Sequence, residues 1–173
     1  MSRKANIYGG GAQTNANGLL FEQTTSLNDA LRSAGYYLNG CDVFIDNKHI
    51  GKSVPQQKVY TEFLSPMGID YRNYNSKQWR PDECFINFSN KTAYIIEKKF
   101  QNTVGSVDEK LPGCDFKKKE YIKLFTPLGY KVEYIYVFND WFKDRKYKDV
   151  LDYIAESNCI ICFNEIPVNI LGL

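Results

Sequence analysis

The sequence predicts a mixed α/β domain in which helices flank a central mixed β-sheet. Three observations carry this. Two β-rich runs, Asp82 to Phe88 and Lys91 to Phe100, are separated by Ser89-Asn90, a pair suited to a hairpin turn. Helical patterns precede and follow that hairpin, and further extended runs lie toward the carboxyl end. No internal repeat or linker divides the 173 residues, a length that suits one domain.

The elements follow in order. Residues 1–17 are rich in Gly, Asn, Ala and Gln and read as an arm, ordered or flexible, ahead of the domain. A helix is expected from Gly18 to Ser33, with Leu20, Phe21, Leu27 and Leu31 on its apolar side and Gly35 at its end. Tyr36 to Asp46 reads as extended and runs into a polar turn at Asp46-Asn47-Lys48. Ser53 and Pro55 open a second helix, since proline fits a first helical turn. Val59, Tyr60, Phe63 and Leu64 form its apolar side until Pro66 and Gly68 stop it. Asp70 to Arg80 reads as a loop or short irregular helix. After the hairpin, Ser106 and Glu109 have capping-box spacing, and a helix is expected from Asp115 to Phe125. A strand (Tyr130 to Phe138), a helix (Lys146 to Ser157) and a strand (Cys159 to Ile166) complete the chain.

Composition narrows the class. A formal net charge of +2 decides little, so any nucleic-acid surface has to come from where the lysines are placed. No apolar run approaches the roughly 20 residues that span a bilayer, and no apolar signal core follows Met1-Ser2-Arg3-Lys4. Five cysteines without a framework spacing suit a reducing compartment, and a cytoplasmic location without membrane attachment is expected. Cys159 and Cys162 form a C-x-x-C inside an apolar run, with no second pair to complete a zinc site. They read as buried strand residues.

The hairpin is where chemistry concentrates. Pairing outward from Ser89-Asn90 sets Asp82 opposite Glu97, with Cβ atoms about 4.5–5.5 Å apart on one face. Lys99, two residues on, leaves the same face. A slip of the turn by one residue pairs Asp82 with Lys99 and keeps all three together. Two carboxylates forced into proximity either raise one pKa or bind a cation, and oxygen ligands favour Mg²⁺. Asp followed at a distance by Glu-x-Lys is a loose pattern, and charges on a solvated strand are its ordinary explanation. Tyr94-Ile95-Ile96 and Phe100, however, flank the charges and mark a central, buried strand. Charges there demand partners.

Pro81-Asp82, Ile95-Ile96-Glu97-Lys98-Lys99-Phe100-Gln101 and Gly105-Ser106-Val107-Asp108-Glu109-Lys110 together resemble the core of PD-(D/E)xK nucleases, type II restriction endonucleases in particular. Gly10 to Glu22 looks like their opening helix. The resemblance implies a restriction-endonuclease-like fold and hydrolysis of double-stranded DNA at a specific sequence, leaving 5′-phosphate and 3′-hydroxyl ends. It implies Asp82 and Glu97 as ligands of Mg²⁺, with Mn²⁺ able to substitute, and Lys99 as the group that positions the attacking water. Glu22 would support the metal shell, directly or through water, and Gln101 would lie at the site's edge. A homodimer and a companion DNA methyltransferase are implied by the family alone. At 173 residues the chain is short for a restriction enzyme, and recognition is expected to come from loops on the catalytic domain. A structure-specific or nicking nuclease, and an inactive DNA-binding module of the same fold, are the alternatives.

Other residues carry two readings each. Glu22 alone is an exposed helix residue. Lys117, Lys118 and Lys119 either contact phosphates or line a solvated helix face. Ser106 and Lys110 either hold a DNA phosphate or begin a helical turn. Tyr71, Tyr74, Trp79 and Arg80 either enter a groove or pack in the core. Glu83 is out of phase with Asp82, and His49 reads as a surface residue beside a turn.

Overall fold

A computed structural model describes the backbone of residues 10–105 and 107–173, and the side chains from residue 16 onward, except Ser106. A seven-stranded sheet forms its middle layer, with the strands in chain order. They are β1 (Tyr37–Asn39), β2 (Asp42–Ile45), β3 (Lys48–Ser53), β4 (Glu83–Asn87), β5 (Thr92–Lys99), β6 (Lys131–Phe138) and β7 (Ile160–Phe163). β1 to β5 pair antiparallel, and β5, β6 and β7 run parallel. Parallel neighbours need crossovers. Helix α3 (Cys114–Phe125) joins β5 to β6, and α4 (Lys148–Glu156) joins β6 to β7.

Residue parity in β4 and β5 sorts the two faces. Cys84, Ile86, Ala93 and Ile95 point to one core, shared with Tyr121, Leu124 and Phe125 of α3 and Ile154 of α4. Phe85, Tyr94 and Ile96 point to the other, shared with Phe21, Leu27 and Leu31. Those last three come from α1 (Gly10–Thr24) and α2 (Leu27–Ser33). The result is a mixed sheet with helices on both faces, as expected. Among the described residues, no helix is long and apolar enough to cross a membrane.

Several expected elements change. The helix read from Gly18 to Ser33 is two helices, and the first already begins at Gly10, inside the segment read as an arm. The break lies at Thr25-Ser26, where the Ser26 hydroxyl accepts the Asp29 N–H at 3.3 Å and caps α2. The break resets the helical phase. Leu20 is therefore 59% exposed, while Phe21 is buried against Phe100 at a ring separation of 5.6 Å. Ser53 ends β3 rather than opening a helix, and its hydroxyl donates to Asn28 Oδ1 at 2.6 Å. Helical backbone starts only after Gln57, and Tyr60–Leu64 is wound as a π-helix with Tyr60, Phe63 and Leu64 buried. The turn between β2 and β3 holds Asp46 and Asn47 at φ of 48° and 63°, the left-handed pair of a type I′ hairpin.

The β4–β5 register is the expected one, from Asn87 opposite Thr92 to Glu83 opposite Ile96. β5 is buried on both faces through Glu97. Cys159 and Cys162 are both buried but belong to opposite cores, so they form no joint metal site.

Glu83 and Lys98 form a 2.8 Å ion pair on the face of α1 and α2, with side chains only 14% and 8% exposed. Lys98 Nζ also donates to the Glu22 carbonyl at 3.3 Å, and Glu83 Oε1 accepts the Leu27 N–H at 3.4 Å. Removing one partner of such a pair leaves a desolvated charge behind. Lys98→Ala is therefore expected to cost about 3 kcal/mol in denaturant unfolding. A loss below about 0.5 kcal/mol, the scale of an exposed pair, would show that the pair is solvated in solution.

Candidate active site

Asp82 lies one residue ahead of β4, behind the buried Pro81. The expectation was a carboxylate opposite Glu97 in the ladder. Instead the Asp82 side chain itself continues the ladder. Its Oδ2 accepts the Lys98 backbone N–H at 2.7 Å, and Oδ1 accepts the Gln56 amide at 3.5 Å. This fixes the acid at the mouth of the β4–β5 pair.

Glu97 shares the parity of Ile95 and pairs in register with Tyr136 of β6, so it faces α3. It is 6% exposed. Its Oε2 meets Lys99 Nζ at 3.0 Å and Lys117 Nζ at 3.5 Å. Lys99 leaves β5 on the same face, with its ammonium 5.9 Å from the centre of the Tyr136 ring. Beneath the acids lies Tyr121 of α3, which is 1% exposed. Burial pushes its phenol up, and the neighbouring Tyr60, Glu97, Cys84 and Asp82 push it further. One hydroxyl thus feels both acids, which fits their placement on a common face.

That hydroxyl is buried without a hydrogen-bond partner among the described residues. An orphaned donor costs about 1–3 kcal/mol, so Tyr121→Phe is expected to raise stability in EDTA by about 1 kcal/mol. A urea midpoint shifted downward instead would show that the hydroxyl is bonded.

Among the described residues, no three His, Cys, Asp or Glu side chains gather closely enough to hold a metal ion. Glu22 is accordingly not brought into a three-acid cluster with Asp82 and Glu97. It is exposed on α1 and lines an open cleft with Gly18, Lys98, Lys99 and Val107. The donors present are two carboxylates with an orphaned phenol nearby. They fit a hard cation that takes few protein ligands and keeps waters or phosphate oxygens, which is the habit of Mg²⁺.

The remaining predicted residues disperse. Gln101 is 5% exposed, and its amide donates to the Thr103 carbonyl at 2.8 Å in the loop after β5. Ser106 lies outside the described residues, and Lys110 is exposed. The three consecutive lysines of α3, residues 117 to 119, take three directions. Lys118 bonds the Asn158 carbonyl at 2.6 Å and Glu133 at 3.3 Å, Lys119 pairs with Asp115 at 2.6 Å, and only Lys117 reaches the acids. Trp79 is half-buried, with its indole N–H on Glu120 at 3.3 Å.

Lys117 is the residue whose place sequence reasoning missed. It stands on the stripe Cys114, Tyr121 and Leu124, all buried, where a lysine is out of pattern. That was the available signal. Gln56, at a φ of 52°, gave none.

The sequence model of the PD-(D/E)XK nuclease superfamily domain matches residues 13–123, from α1 through α3. No curated protein and no solved structure matches the chain. The match spans more than half of the chain and includes Asp82, Glu97, Lys99 and Lys117. The chain belongs to the PD-(D/E)XK nuclease superfamily. Its sheet and flanking helices are those of an α/β nuclease of that class, whose members generally use divalent metal ions.

Proposed function

We propose that this protein is a type II restriction endonuclease that cuts double-stranded DNA at a specific sequence with Mg²⁺, leaving 5′-phosphate and 3′-hydroxyl ends. The observation that carries the reading is that Glu97 and Lys99 meet on one sheet face at the carboxyl end of β5 while Asp82 accepts the N–H of Lys98 between them, within the matched segment. Open α/β sheets bind ligands beyond the carboxyl ends of their strands.

In this reading Asp82 and Glu97 hold the ion, and Mn²⁺ substitutes for Mg²⁺. A bound ion lowers the pKa of its water and offsets charge on the scissile phosphate. The chain's own groups do the rest. The Lys98 N–H fixes the Asp82 carboxylate, so that acid costs no reorganisation when substrate arrives. Lys99 orients the attacking water and stabilises charge developing on phosphate oxygen. Buried Tyr94, Ile95 and Ile96 hold β5 rigid behind both residues. Glu22, at the cleft, would support the ion's shell directly or through water. A homodimer and a protecting methyltransferase belong to the same proposal.

The test is digestion of supercoiled plasmid and of branched oligonucleotides with Mg²⁺, followed by sequencing of the ends. Discrete fragments with 5′-phosphates are expected. Cleavage confined to branched substrates would overturn sequence specificity, and no cleavage with either Mg²⁺ or Mn²⁺ would overturn the nuclease reading itself.

A further inference from the structure

The centre described above uses one lysine, yet two ammoniums reach Glu97. Lys99 arrives from β5 and Lys117 from α3, and both approach Oε2, at 3.0 and 3.5 Å. The Lys117 side chain is 26% exposed, between Lys118 at 12% and Lys119 at 66%, and it shares the inward stripe of α3. Its two lysine neighbours bond to groups away from the acids. Partial burial of a second ammonium beside a carboxylate that already has a partner is costly in desolvation and unnecessary for neutralising Glu97.

Charge balance gives the second amine a purpose. Asp82 and Glu97 carry two negative charges, which Lys99 and Lys117 match. A divalent cation that arrives with one phosphodiester charge and one hydroxide adds nothing net, so the loaded centre stays balanced. With Lys99 alone it would be short by one positive charge, just where the phosphorane-like transition state gathers negative charge. An ion held by Asp82 and Glu97 would leave one of the two ammoniums without its carboxylate partner. Of the two, Lys117 sits farther from it.

We propose that Lys117 Nζ is a second phosphate ligand of the active centre: it neutralises Glu97 in the metal-free protein and contacts a non-bridging oxygen of the scissile phosphate in the loaded one. This rests on the nuclease reading. Lys117 is then a catalytic residue on α3, facing Lys99 across the site.

The experiment compares the whole protein with Lys117→Met, which keeps the aliphatic stem, and Lys117→Arg, which keeps the charge. Cation affinity is read without DNA from tyrosine-sensitised Tb³⁺ luminescence and Mg²⁺ competition. Loss of a competing ammonium should tighten binding in K117M by about tenfold. The single-turnover cleavage rate at saturating Mg²⁺ and DNA should nevertheless fall by about a hundredfold in K117M and recover in part in K117R. These opposite signs are the signature, because a merely structural lysine would weaken both together. A wild-type rate in K117M, or a slower rate accompanied by weaker cation binding, would overturn the assignment. An inert wild type would instead sink the nuclease reading. In that case duplex affinity in Ca²⁺ decides: a fall of about tenfold in K117M supports the phosphate contact, and unchanged affinity overturns it.

Discussion

Glu97→Ala is expected to lower Mg²⁺-dependent DNA cleavage by about 10³-fold or more, the scale of losing a group that acts on the transition state. The size follows from position. Glu97 is the more buried of the two motif acids, at 6% exposure, and two ammoniums converge on one of its oxygens. In the proposed mechanism its loss removes a cation ligand, and it leaves Lys99 and Lys117 without their shared carboxylate, repelling each other and an incoming ion. Glu97→Gln, which keeps the shape but not the charge, should be nearly as inactive. The fold should survive, since both lysine side chains are more than a fifth exposed and water can take over. Circular dichroism of the variant beside a plasmid assay checks both halves. A Glu97→Ala protein that cuts at the wild-type rate would remove the acid from the mechanism.

Gly51→Ala should lower stability by about 3 kcal/mol, or on the order of 10 °C in midpoint. β3 is paired on both sides, and Gly51 lies between Val43 of β2 and Asn87 of β4. A Cβ built at residue 51 would stand 2.2 Å from the Ile86 carbonyl oxygen and 3.0 Å from the Phe85 ring. The ring can shift. The oxygen is backbone, and it can move only by parting β3 from β4. A strand glycine often marks such a close approach of another chain segment. Thermal unfolding measures the effect, and a midpoint within 2 °C of wild type would show that the strands separate at little cost.

How much of this was legible depended on the range of the interaction. The β4–β5 hairpin was readable because its turn, its alternation and its buried charges lie within one short stretch, and the register came out as expected. The shared face of Glu97 and Lys99 followed from parity alone. β3 was not readable: Lys48, His49, Gly51 and Lys52 give it no apolar alternation, and its pairing partners supply what its sequence lacks. The cap at Ser26 was hidden inside a continuous helical pattern. Lys117 stood out of pattern on the buried stripe of α3, but which acid it meets depends on how α3 docks on the sheet.

Lys98, between the two residues of the motif, has a backbone N–H on Asp82 and an ammonium on Glu83 and on the Glu22 carbonyl. One residue is thus stitched into both sides of the sheet. Displacement of the first helix by a bound duplex or by a neighbouring molecule would reach Asp82 through a single amino acid, without passing through the hydrophobic interior. The amino-terminal helix is in that sense a lever, and Lys98 is its fulcrum.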